Sequence, residues 1–260
     1  MKRFALVLAI LCLLAGVVLA DEPADMPAAV LCLPDFTGTG SAWEVLAVSS
    51  EGAVNATVTP VYLTRSEDPN AVMTYEVRLE GSRAGDAYVH LELCRDGVPS
   101  WRYNLYVTVD AALNVRIETA ELMLAYGDVS HAVIEYGESE RFSEAERMAA
   151  ISVVLDDFSA PHGKDQEHCL SGWAGFVLQT VSYASDEASR AAFETYAQRY
   201  GYLDSQGRAY VDGIVFYTTF RTPMTDDGWT SFAADSVYSD YRWTLLKTED
   251  GAWEIVTTGY

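Results

Sequence analysis

The densest run of reactive side chains in the sequence is Pro161-His162-Gly163-Lys164-Asp165-Gln166-Glu167-His168-Cys169. Two imidazoles, two carboxylates and a thiol could bind zinc together, or set a thiolate beside a base. Sites of either kind draw their groups from separate rigid elements, and this spacing matches no zinc pattern. The run therefore reads as a solvated loop with Cys169 entering a strand, and no metal is expected. No serine stands in a Gly-x-Ser-x-Gly elbow, no glycine-rich phosphate loop follows a strand, and no His-Glu-x-x-His helix is present. Asp156-Asp157 and Asp226-Asp227 are adjacent carboxylates whose side chains point different ways, so they read as solvated charge rather than acid/base couples. The expectation is a protein with no catalytic residue and no cofactor. An enzyme using His162, His168 or Cys169 is the third-ranked alternative. Asn55-Ala56-Thr57 is a formal glycosylation acceptor.

The elements that would position any site fall into two groups. Residues 43–48, 54–63, 72–79, 87–93 and 101–109 alternate apolar and polar at period two, rich in β-branched and aromatic residues and separated by Gly, Pro and Asp. A short hairpin partner at 114–118 closes the set. Strands at this spacing, with no helix between them, predict an all-β antiparallel sandwich over 28–119. Residues 120–141 read as a connection containing a short strand at 131–136.

The pattern changes at Phe142. Ser143 with Glu146 forms a capping box, and Met148, Ile151, Leu155 and Phe158 fall on one helical face before Pro161 and Gly163. A strand over 173–183 follows, then a helix opened by Asp186 with Ala188, Ala192, Tyr196 and Tyr200 on one face, ending near Gly201. Three strands complete the chain at 210–221, 241–247 and 253–258, the last two joined by Thr248-Glu249-Asp250-Gly251, whose Asp-Gly is a hairpin signal. One long helix packed on a curved antiparallel sheet, an α+β domain over 142–260, is the economical reading.

Lys2 and Arg3, the apolar run 4–18 and Val18-Leu19-Ala20 before Asp21 form the pattern of a cleavable export signal, residues 1–20, with cleavage near Ala20. The expected location is secreted or extracytoplasmic. The run is too short to span a bilayer, so no membrane insertion is expected. Cleavage would leave 15 basic against 38 acidic side chains, and that field repels nucleic acid and anionic lipid. It would also leave Cys32, Cys94 and Cys169, an odd count without a Cys-x-x-Cys pair.

Thr37-Gly38-Thr39-Gly40-Ser41-Ala42-Trp43 resembles the Thr-Thr-Gly-x-x-Trp loop of chagasin-like inhibitors of papain-type cysteine proteases, with Thr39, Gly40 and Trp43 as matches. Downstream, the order of 73–93 is similar to the family's approach to its Arg-Pro-Trp loop. Arg95 falls at the arginine, Asp96-Gly97 replace Pro-Trp, and Trp101 stands as a displaced counterpart. The middle loop would be 65–71, which lacks glycine and carries Glu67, Asp68 and Asn70. The resemblance spans about residues 30–110 and implies an immunoglobulin-like sandwich of eight strands. Three loops at one end would enter a protease cleft, with Thr37, Gly38, Thr39, Gly40, Trp43, Asp68, Asn70, Arg95 and Trp101 as the binding residues. It also implies a bracing disulfide between Cys32 and Cys94, which precede the first and third loops. Residues 142–260 are similar in order and pattern to nuclear-transport-factor-like cone domains of exported bacterial proteins. That likeness implies a pocket between helix and sheet lined by Phe216, Trp243 and Trp253. The expected function is reversible, non-covalent binding of a papain-like cysteine protease. The alternative is a non-inhibitory extracellular or cell-envelope module whose cone holds a small ligand or partner chain.

Overall fold

The computed structural model describes residues 28–34, 41–49, 52–62, 72–95, 98–160, 172–225 and 231–260. Seven strands come first: β1 (Ala28–Pro34), β2 (Ser41–Ser49), β3 (Val54–Tyr62), β4 (Val72–Gly81), β5 (Gly85–Arg95), β6 (Val98–Val109) and β7 (Val115–Leu124). They form two antiparallel sheets in the orders β1-β4-β3 and β2-β5-β6-β7. Period-two alternation drives the arrangement, because it gives each strand one apolar face. Leu31 and Leu33 of β1, Tyr75, Val77 and Leu79 of β4, and Val89, Leu91 and Leu93 of β5 meet Leu105 and Val107 of β6 in one core between the sheets. The final strand is longer than the short partner expected at 114–118, because a register shift opposite Tyr106 and Val107 lets pairing continue to Leu124.

The second half is one five-stranded sheet in the order β12-β11-β10-β9-β8, built from β8 (Val133–Glu135), β9 (Val177–Tyr183), β10 (Tyr210–Arg221), β11 (Val237–Thr248) and β12 (Trp253–Gly259). Strand β8 runs parallel to β9 while the other pairs are antiparallel, so the sheet is mixed rather than wholly antiparallel. Two helices accompany it, α1 (Glu144–Ser159) and α2 (Asp186–Tyr200). The capping box at Ser143 and Glu146 is formed as the sequence predicts, and Lys247 bonds the same Glu146 carboxylate at 2.7 Å. The buried face of α1 is Arg147, Ala150, Ile151, Val154 and Phe158, whereas Met148 is half exposed. Apolar residues surround this helix, so spacing alone did not select the face, and contact with the sheet did.

The two helices cover opposite faces of the sheet. Ile214, Phe216, Trp243 and Leu245 face α1 and share its core. Their alternating neighbours Gly213 and Leu246 face α2, where a Cβ on Gly213 would stand 3.0 Å from that of Phe193. Ser189 Oγ of α2 accepts from Val215 N at 3.1 Å. The sequence expectation of a single covered face therefore gives way to a sheet layered on both sides. Among the described residues no helix is long and apolar enough to cross a membrane.

The stretch 120–141 is tied down along its length. Ala125 N donates to Ser100 O at 3.2 Å, Gly127 N to Phe158 O at 3.0 Å, and Asp128 N to Phe176 O at 2.8 Å. A Cβ on Gly127 would lie 2.3 Å from the Phe158 ring, so only glycine permits this approach. At the start of α2, burial alone would raise the Asp186 carboxyl. Hydrogen bonds from Ser139, Tyr183 and Glu140 N outweigh it and hold the group at about 2.

Two outcomes are expected. Phe158→Ala empties the space against which Trp173 stacks, at a centroid distance of 4.7 Å. It should lower stability by about 3–5 kcal/mol in urea unfolding. The depressed Asp186 value means that its stabilisation is present above the unfolded value near 3.8 and is lost as pH falls through about 2. Asp186→Asn should therefore destabilise the protein measurably at pH 7 and little at pH 2.

Candidate functional site

Strand register decides which connections share an end of the sandwich. Pro34 pairs with Thr74 and Tyr62 with Val72, so β1 and β3 end where β4 begins. Ser41 pairs with Arg95 and Arg95 with Val98, so β2 and β6 begin where β5 ends. Tyr75 Oη donates to Ser41 O at 2.6 Å through a buried bond that fastens the two sheets at this end. The connections 35–40, 63–71 and 96–97 thus all leave from one end of the sandwich. Strand β7 also finishes there, with Leu124 opposite Trp101, and the chain passes from it into the second sheet.

The expected protease-contacting residues divide by place. Thr37, Gly38, Thr39, Gly40, Asp68 and Asn70 lie outside the described residues, as do His162, His168 and Cys169. Trp43 is buried in the sandwich core, and Trp101 is half-buried against the same core. Both indoles therefore brace the strands beneath the loops rather than reaching beyond them. Arg95 is exposed as the last residue of β5, directly beside the first residue of β2.

Cys32 and Cys94 are free thiols, one exposed and one buried, so the expected bridge between them is not formed. Alternation supplies the reason. Leu31 and Leu33 turn into the core and leave Cys32 on the outside of its sheet, while Leu93 turns inward and leaves Cys94 on the far side of the other. Facing sheets stand about 10 Å apart, beyond the Cα separation of about 7 Å that a disulfide can close. Burial first, then the charge of Glu92, pushes the Cys94 thiol up to about 11.

A polar constellation that sequence reading missed lies on the outer face of β5 and β6. Arg102 and Glu92 form an ion pair at 2.7 Å with side chains only 5% and 3% exposed. One step along, His90 Nδ1 and Asn104 Oδ1 are 2.7 Å apart, and Asn104 Nδ2 approaches Met123 Sδ at 3.7 Å. All four polar residues are buried. Near them Glu121 of β7 accepts from Met224 N at 3.1 Å, Thr225 N at 2.7 Å and Thr225 Oγ1 at 2.6 Å, and Met123 packs against Gly175. The second lobe thus rests on this face near the loop-bearing end. Alternation marks such residues as solvent-facing, so the period-two pattern hides them. The signal was the cross-strand match of acid with base at Glu92 and Arg102. The cluster is paired within itself and has the character of a scaffold rather than a reacting centre.

The aromatic lining expected for a pocket is absent from the surface. Phe216 and Trp243 are fully buried and Trp253 nearly so, all within the core beneath α1. Two cavities among the described residues lie on the other side of the sheet, beneath α2. No group of three His, Cys, Asp or Glu among the described residues is placed to hold a metal. No protein-family model, curated protein or solved structure matches the chain.

Two measurements follow. Iodoacetamide at pH 8 with peptide mapping should label Cys32 and leave Cys94 unlabelled in the folded protein. Glu92→Leu leaves Arg102 without its buried carboxylate and should cost about 3–5 kcal/mol in denaturant unfolding, most of it recovered in Glu92→Leu/Arg102→Met.

Proposed function

We propose that the protein is an exported, non-enzymatic binding protein whose immunoglobulin-like sandwich engages the cleft of a papain-like cysteine protease through the connections 35–40, 63–71 and 96–97. The observation that carries this reading is the register that brings all three connections to one end, with Ser41, Arg95 and Val98 side by side. A partner's groove meets them as one edge, and the sandwich core beneath means that little ordering of the scaffold opposes association. Thr39 and Gly40 are small residues of the kind that would let backbone approach a catalytic thiolate, and Arg95 supplies an exposed anchor of the type enriched at binding hot spots. Trp43 and Trp101 support the edge from below.

Titration of papain with the protein should give reversible inhibition that recovers on dilution. Thr39→Arg should abolish it, and Arg95→Ala should weaken it by about tenfold or more. Absence of inhibition at micromolar protein would remove this reading. The second reading, a module that holds a small ligand in its α+β lobe, is favoured by the cavity beneath α2 rather than by the aromatic residues first expected to line one.

A further inference from the structure

Helix α2 lies over β10 and touches β11 only lightly. The end of the sheet formed by β11 and β12 is therefore left open on the α2 side. The space is a cavity of about 260 Å³ whose polar side chains are Thr195, Tyr196, Arg242, Thr244 and Thr257. A register shift between Thr244 and Leu245 sets Thr244 directly opposite Thr257 and gathers the hydroxyls. No Asp or Glu side chain lines it.

Two atoms in this wall lack partners. Thr244 is fully buried, and neither its Oγ1 nor the buried Nε of Arg242 makes a hydrogen bond. Among the described residues the other buried side-chain atoms without a partner are Ser41 Oγ and Arg147 Nε, and neither lines this cavity. Arg78, Arg102, Arg116, Arg141 and Arg221 each hold a carboxylate, and Arg208 holds Asp204, Asp250 and Glu254 together. Arg242, half-buried, holds none among the described residues. Buried donors left unmet are costly, and natural proteins keep them chiefly where a ligand or water completes them.

We infer that this cavity binds a small hydroxylated monocarboxylate of the size of a hexuronic acid. Its carboxylate would lie on the Arg242 guanidinium and a hydroxyl would lie on Thr244 Oγ1. The guanidinium edge that includes Nε presents two parallel donors, the geometry that fits a planar carboxylate. Hydroxyls of three threonines and Tyr196 match a polyol in number and reach while adding no charge. One cation balances one negative charge, and the strong acidity of the chain opposes anions of higher charge such as a phosphate dianion.

The test is isothermal titration calorimetry of the full chain with D-glucuronate, run beside D-glucose and inorganic phosphate. Saturable binding of glucuronate, with glucose and phosphate much weaker, is expected. Arg242→Gln should weaken it by about tenfold or more, and Thr244→Val by a smaller factor. Thermal melts of each variant report folding. Arg242→Lys, which keeps the charge but loses the fork, should also bind more weakly and serves if the glutamine variant does not fold. No heat from glucuronate at millimolar concentration would overturn the inference. So would equal binding by the Arg242 variants, or phosphate or glucose binding as tightly as glucuronate.

Discussion

Strand β5 is buried on both faces, and that constraint organises the sandwich and its surroundings. Val89, Leu91 and Leu93 fill the core between the sheets, while His90, Glu92 and Cys94 are equally enclosed on the other side. A strand enclosed in this way cannot leave a polar group unmatched, because an unpaired buried charge is strongly destabilising. Cross-strand partners on β6 meet that demand: Arg102 for Glu92 and Asn104 for His90. Fixing β5 against β6 also fixes where their connection sits. Through Ser41 it fixes where the first loop ends, so the proposed binding edge inherits its geometry from the strands that this ion pair joins.

The second lobe solves a different packing problem. Its sheet carries aromatic residues on the α1 side, where Trp173 lies within 6 Å of the ring centres of Phe158, Phe176, Phe220, Tyr241 and Trp243. Buried indoles need partners for their N–H groups, and Trp243 Nε1 finds Thr218 Oγ1 at 3.0 Å. The other side is covered by α2 with smaller residues, and its cover stops short of the sheet's end. Dense packing on one face and a shortfall on the other explain why the cavities lie beneath α2 while Phe216, Trp243 and Trp253 remain core.

The excess of acid is handled by allocation. Arg78, Arg102, Arg116, Arg141, Arg208 and Arg221 each hold a carboxylate, and Arg208 gathers three that join the segment after α2 to the β11–β12 turn. Glu121 instead spends its charge on backbone N–H groups of the second lobe, which ties the two halves without a cation. Arg242, by contrast, faces a hollow whose wall carries no Asp or Glu side chain.

How much was legible in the sequence follows from the range of the forces involved. Period-two alternation is local, so most strands were readable, and the Ser143–Glu146 box and the Asp250-Gly251 turn are encoded within four residues. The sequence marks Trp43 and Trp101 by type and spacing, but a residue's type does not say which side of a sheet its neighbours cover, and both indoles pack on the sandwich core. The exposure of Met148, the separation of Cys32 from Cys94 and the burial of Glu92 with Arg102 depend on contacts between segments far apart in the chain. So does the placing of α1 and α2 on opposite faces. The sequence by itself determined the elements, their caps and their turns, because those energies arise between near neighbours. Only the tertiary structure decided which faces met, because burial belongs to the assembled layers rather than to any single strand or helix.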